Sequence, residues 1–148
     1  MDAHIEGVRV AETPSGLAAV VTLGVEDEDD ILPIFIGFDE AASIARGLDA
    51  ADIGRPLTHD LLLDVMEELG GRVERVVVSD FDDATYVADL HIETPRESTT
   101  VDARPSDSLA LAARTNVDID IDDAVFEDGR EPLAEYEDLD DIREMMPQ

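Results

Sequence analysis

The chain has no cysteine, no lysine, only three histidines and no apolar run long enough to cross a bilayer. Without cysteine there is no disulfide, no thiolate nucleophile and no zinc–thiolate site. The N-terminus carries Asp2 and Glu6 and no basic, apolar leader. No signal peptide is therefore expected, and a cytoplasmic, non-membrane protein is the simplest expectation. Without lysine, every cation is one of ten arginines, set against 38 acidic residues for a formal net charge of −28.

A chain of that charge repels itself in dilute buffer. At about 1 M salt the Debye length shrinks to roughly 3 Å and the penalty largely disappears. The composition therefore points to a protein of molar internal salt. An acidic disordered chain is the alternative, but 44% hydrophobic residues in regular periodicity argue against it. The missing basic patch excludes little. Counterion release, the usual drive for nucleic-acid binding, collapses as salt rises.

At 148 residues the chain can bury one core. Ile5, Val8 and Val10 mark a first strand. Thr13–Gly16 turns into a second strand over 17–25, and residues 31–36 make a third, with Pro33 placing it near an edge or bulge. Ala41, Ile44, Ala45 and Leu48 keep helical spacing after Asp39, a natural N-cap. A second helix starts at Thr58, carries Leu61, Leu62, Val65, Met66 and Leu69 on one face, and ends at Gly70-Gly71.

Strands over 72–80 and 85–94 flank an Asp82-Asp83-Ala84 turn, and a further strand leads to Arg104. After a helix from Ser106, residues 116–120 read as a short edge strand and 122–126 as a helical turn. Leu133, Tyr136, Leu139, Ile142 and Met146 suggest an amphipathic C-terminal helix. The expected fold class is α+β in a single domain: a largely antiparallel or mixed sheet, two to three helices on one face, and a C-terminal helix. The expected organisation is a domain over 1–128, then an acidic linker and helix over 129–148.

Two turns stand out. Val101-Asp102-Ala103-Arg104-Pro105-Ser106-Asp107-Ser108 and Arg55-Pro56-Leu57-Thr58-His59-Asp60 each place Arg-Pro, a hydroxyl residue and an Asp before an aliphatic helix. Carboxylates are weak signals where one residue in four is acidic, so arginine and histidine weigh more. Thr58 and Ser106 read most simply as N-caps, and Asp60 and Asp107 sit where the helix dipole favours negative charge. Capping does not explain why Arg-Pro precedes both.

Two helix N-termini with an arginine upstream make a phosphate cradle, with Arg55, Arg104, Thr58 and Ser106 as candidate phosphate-binding residues. Asp102 and Asp107 are candidate ligands for Mg²⁺ or Mn²⁺. His59, in a first turn, suits a neutral base or ligand, or else a ring that hydrogen-bonds the loop and fixes the turn. His4 and His91 read as structural. The implied chemistry is metal-assisted phosphodiester hydrolysis with a water nucleophile. The plainer reading is two capped helices with Arg104 paired to a nearby acid.

The stretches Leu32–Gly37, Glu40-Ala41, Arg55–Leu61 and Val101–Asp107 resemble, in order and spacing, the successive motifs of the bifunctional nuclease domain family. The chain looks like an acidic, haloarchaeal-type member, with the resemblance running from about Ile5 to Phe126. The resemblance implies nuclease activity on DNA and RNA, and a homo-oligomer, whose interface the apolar tail would suit. The matching polar positions are Glu40, Thr58, His59, Asp60, Asp102, Arg104, Ser106 and Asp107. The 82–86 turn departs from the family, which usually has a glycine there.

The leading expectation is thus a metal-dependent nuclease. Asp102 and Asp107 hold the metal, His59 orients or deprotonates the water, and these three form the catalytic group. Arg104 and Arg55 bind phosphates, with Glu40 and Asp60 in support. The rivals are a non-catalytic phosphate- or nucleotide-binding module using the same helix ends, and a structural oligomeric domain whose motif residues only lock turns.

Overall fold

A computed structural model describes residues 1–51 and 54–146. The chain opens with a meander, β1 (Asp2–Thr13), β2 (Gly16–Val25) and β3 (Asp30–Ile36), and continues with α1 (Phe38–Leu48) and α2 (Thr58–Glu68). A second meander follows: β4 (Arg72–Asp82), β5 (Thr85–Glu93) and β6 (Ser98–Ala103). Then come α3 (Pro105–Thr115), β7 (Asp118–Ile121) and α4 (Asp123–Gly129). The architecture is the expected single-domain α+β fold with a mixed, mostly antiparallel sheet.

The strand order is β6-β5-β4-β7-β1-β2-β3. β7 is the seam between the meanders, parallel to β4 (Val76 beside Ile119) and antiparallel to β1 (Ala3 beside Ile119). The sequence predicts an edge strand over 116–120. The strand is 118–121, and it lies in the middle of the sheet because α3 returns the chain over its face rather than along its rim. With Ile119 and Ile121 buried between flanking Asp residues, four residues suffice to join the two halves.

α1 and α3 pack on each other and on one face of the sheet. Ala41, Ile44 and Ala45 of α1 meet Leu109–Ala113 of α3 over Val8, Val21, Leu23, Val76 and Val78. The helices approach closely because small residues face each other: a Cβ built on Gly47 would stand 2.9 Å from the Ala113 Cβ. β2 is buried on both faces. Val21 and Leu23 join the main core, while Val20 joins Ile31 and Tyr136, with Leu133 and Leu139 against them.

That second cluster explains the tail. The expected amphipathic α-helix is instead two short 3₁₀ turns, Leu133–Glu135 and Ile142–Met145. They alternate with two-residue strands, β8 (Glu131–Pro132) on β3 and β9 (Asp140–Asp141) on β1. The apolar spacing is 3, 3, 3 and 4 along Leu133, Tyr136, Leu139, Ile142 and Met146, so it fits a tighter 3₁₀ turn as well as an α-helix. Draped across the sheet, the segment covers Val20, and Arg9 holds it by donating to the Glu137 and Leu139 carbonyls. Residues 147–148 of the expected helix lie outside the described residues. The tail's apolar residues are thus spent on the chain's own core.

The opposite holds for α2. None of its residues is fully buried: Leu61, Leu62 and Val65 are about half exposed, and Leu69, just past its end, is 77% exposed.

Candidate active site

The starts of α1, α2 and α3 set the site, and in each the residue expected to cap the helix does not. α1 has Gly37 at the N-cap, leaving Asp39 in the first turn. α2 has Leu57 there; Thr58 is the first helical residue, and the capping bond runs from the Leu57 N–H to the Asp60 carboxylate, 3.1 Å. α3 has Arg104 there, because Pro105, with no N–H to lose and φ already set, takes the first helical position. Ser106 is therefore inside the helix and buried, not its cap. The hydroxyls at 58 and 106 are one and two positions too late to cap.

The two Arg-Pro turns do meet. His59 Nε2 donates to Asp107 Oδ1 at 2.9 Å, joining residues 48 apart in sequence. Asp107 Oδ2 accepts from Arg104 Nε at 3.1 Å, and the Arg104 guanidinium lies 3.6 Å from Glu40. On the other side of the ring, His59 Nδ1 is 2.6 Å from the Ser43 hydroxyl. Arg114 donates to that hydroxyl at 3.2 Å, to the Ser43 and Ala110 carbonyls at 2.9 Å each, and to Asp60 Oδ1 at 2.7 Å.

Donor and acceptor types determine the direction of this chain. The ionised Asp107 can only accept, so the ring proton sits on Nε2 and points at it. In the neutral ring Nδ1 then accepts from the Ser43 hydroxyl, whose oxygen takes the Arg114 N–H. The sequence runs Arg114 to Ser43 to His59 to Asp107, with Arg104 closing on the last carboxylate from the solvent side. His59 is 14% exposed, Asp107 36% and Arg104 66%, so the chain runs from interior to surface.

Burial alone would raise the Asp107 pKa, but the hydrogen bonds from His59 and Arg104 outweigh it and hold the carboxyl below the usual range. Asp60 behaves alike: burial opposes, but the bonds from Arg114 and the Leu57 amide prevail, and it too is held low. Asp107 in turn raises the Arg104 pKa. Both carboxylates are ionised at neutral pH.

Thr58, His59, Asp102, Arg104 and Asp107 line one cleft of about 630 Å³, between the start of α2 and the β6–α3 turn. Glu40, Arg104 and Ser106 line a second, of about 510 Å³, between β3 and the β4–β5 hairpin. Arg104 stands on the ridge between them. Asp102 is exposed on β6, where its backbone pairs with β5, and its side chain makes no hydrogen bond or ion pair among the described residues. Arg55 is exposed, likewise unpaired among the described residues, and lines neither cleft. The turn containing Arg55 thus reaches the site through Thr58, His59 and Asp60 only.

Among the described residues, no three His, Asp or Glu side chains gather as a metal-binding group. The donor set on the cleft wall is Asp102 and Asp107, each oxygen of Asp107 already accepting one bond. This suits a hard cation that keeps most of its water, not one caged by protein.

Two residues of the network, Ser43 and Arg114, carried no motif. Their signal was the lone hydroxyl beside Ile44 in the apolar stripe of α1 and the lone cation ending the aliphatic run of α3. Neither could be assigned a partner without the fold.

A family model described as the bifunctional nuclease domain matches residues 21–133. Two uncharacterized proteins of Mycobacterium tuberculosis, from strains CDC 1551 and H37Rv, are each 39% identical over 125 residues, covering 84% of this chain and 73% of the relative. No helix among the described residues is long and apolar enough to cross a membrane.

Proposed function

The chain belongs to the bifunctional nuclease domain family, and on that footing we propose that it hydrolyses phosphodiester bonds of nucleic acid in the cleft between α2 and the β6–α3 turn. The carrying observation is the His59–Asp107–Arg104 chain, which ends in an exposed guanidinium between two clefts. A guanidinium fork matches phosphate oxygens, and the amide end of α3 lies directly behind it.

In this reading Arg104 takes the scissile phosphate. Part of what holds Asp107 at low pKa is its bond to Arg104. A phosphate that draws the guanidinium away makes Asp107 a better proton acceptor at the place and moment the substrate arrives. Asp107 then orients and deprotonates the attacking water. The water oxygen bonds to phosphorus while Asp107 keeps the proton it removed, the bond to the leaving sugar oxygen breaks, and that oxygen takes a proton from solvent. His59 holds Asp107 in place from behind through Nε2–H. Asp102, with Asp107 beside it, would hold a Mg²⁺ or Mn²⁺ ion, which when bound supplies Lewis-acid charge stabilisation. Thr58 and Ser106 line the clefts, and Glu40 and Asp60 position Arg104 and the α2 start. Arg55 binds a flanking phosphate outside the clefts.

The test is cleavage of single-stranded RNA and DNA by purified protein in molar KCl, with Mg²⁺, Mn²⁺ and chelator arms. Asp107→Asn and Arg104→Ala should each lower the rate at least on the order of a hundredfold, as for loss of an electrostatic group at a reacting phosphate. Unchanged rates in Asp102→Asn and Asp107→Asn would sink the assignment. One observation favours a second reading: both His59 nitrogens and both Asp107 oxygens are satisfied within the chain, as in a binding module. Nucleotide binding without turnover, lost in Arg104→Ala, is that reading's signature. The homo-oligomer is also part of the proposal. With the tail spent on the core, the uncovered face of α2 is the surface such an assembly would bury, and sedimentation velocity decides it.

A further inference from the structure

The chain is poor in aromatic residues, with four Phe, two Tyr and no Trp. Three of the six line the second cleft: Phe35, Phe81 and Tyr86. Phe35 is 56% exposed and Phe81 51%, although each sits in a strand whose other large apolar residues are mostly buried. Phe81 faces Tyr86 across the β4–β5 hairpin with ring centroids 4.6 Å apart. Gly129 also lines the cleft and lets the Tyr86 ring pack close, since a Cβ there would stand 2.5 Å from the Tyr86 hydroxyl and 2.7 Å from Leu32. Two rings held open to solvent add nothing to the core, and Arg104 stands at the mouth of the same cleft.

We propose that this aromatic cleft is a nucleobase subsite: an unpaired base of a single-stranded nucleic acid stacks between Phe35 on β3 and Phe81 on β4 while Arg104 holds the adjoining phosphate. The proposal rests on the hydrolase reading for its partner, and it answers a difficulty that reading leaves. A surface of net charge −28 cannot gather a polyanion by electrostatics, and molar salt would remove that drive in any case. Stacking relies on π faces and tolerates any base sequence, so it supplies affinity where charge does not. A duplex, with its bases already stacked, cannot offer a face to the cleft. A single guanidinium at the edge of an apolar, ring-lined cleft matches one base and one phosphate. It does not match a flat protein partner.

The experiment is equilibrium binding of an oligodeoxynucleotide carrying one 2-aminopurine, in molar KCl with chelator present so that nothing is cut. Wild type should quench the base on binding, and a duplex of the same sequence should bind at least on the order of tenfold more weakly. Phe81→Ala and Phe35→Ala should each weaken binding by roughly five- to 150-fold, the range of one base–aromatic stack, with quenching reduced. Phe81→Leu, which keeps the apolar surface and loses the ring, should behave as Phe81→Ala, and Phe81→Tyr should bind as wild type. Both positions are exposed, so thermal melts should show the variants folded. Quenching unchanged in both alanine variants, or leucine equal to wild type, overturns the subsite. Quenched binding with no cleavage after metal is added overturns the hydrolase reading alone. Cleavage with no quenching overturns the subsite alone.

Discussion

Replacing Ser43 by Ala tests the direction of the proton chain without requiring any activity. The hydroxyl accepts from Arg114 at 3.2 Å and donates to His59 Nδ1 at 2.6 Å, inside α1 at 8% exposure. Arg114 loses one acceptor of four and keeps Asp60 and two carbonyls. His59 Nδ1 loses its donor in a pocket too closed for ready replacement by bulk water. An unsatisfied buried polar group costs about 1–3 kcal/mol, and the better helix propensity of alanine returns about 0.5 kcal/mol. The net destabilisation is about 0.5–2.5 kcal/mol. For a chain of this size that lowers Tm by about 1–10 °C.

The melt, followed by far-UV circular dichroism in molar KCl, should be paired with a long-range proton–nitrogen spectrum of the imidazole. Wild type should show a proton on Nε2 and none on Nδ1. In Ser43→Ala that preference weakens, because Nδ1 no longer receives a proton. The same substitution in a His59→Gln background should cost about 1 kcal/mol less, since the two share one bond. A Tm within about 1 °C of wild type, together with a Nδ1-protonated ring in wild type, would refute the wiring.

Further outcomes follow from the same geometry. Asp60 and Asp107 are held below the ordinary 3.8, so each contributes stability that is complete above the unfolded pKa and lost as pH falls through its lower folded value. Denaturant midpoints in molar KCl should therefore be flat at neutral pH and drop below about pH 4, with a shallower drop in Asp107→Asn; an identical acid limb would contradict the pairing. The β4–β5 hairpin turns at Asp83 (φ 51°) and Ala84 (φ 63°), left-handed positions that alanine adopts at a cost. Ala84→Gly should raise stability by about 0.5–1 kcal/mol in a chemical melt, the relief of strain exceeding the added freedom of the unfolded chain. Lowering KCl from molar to millimolar should unfold the chain or depress Tm sharply as screening of its charge is withdrawn. A salt-independent melt would count against the high-salt origin.

Local periodicity located α1, α3 and both meanders, because a strand repeats every two residues and a helix every 3.6, whatever lies across from them. It failed for the tail, where a spacing near three suits two kinds of helix and the choice fell to the sheet face at Val20. It also failed for β7, whose alternation of Asp and Ile resembles an edge strand although neighbours cover it on both sides. The helix starts were off by one or two residues because proline and a side chain three positions on can take over a cap.

For the site, the sequence by itself determined that Arg104, Asp107 and His59 stand at helix starts, since proline and the aliphatic runs dictate where those helices begin. Only the tertiary structure decided that His59 faces Asp107, that Ser43 and Arg114 stand behind it, and that Arg55 does not reach the clefts. Those pairings span 16 to 71 residues. They are set by the packing of α1 against α3, which brings a serine and an arginine with no motif of their own to the back of one imidazole ring.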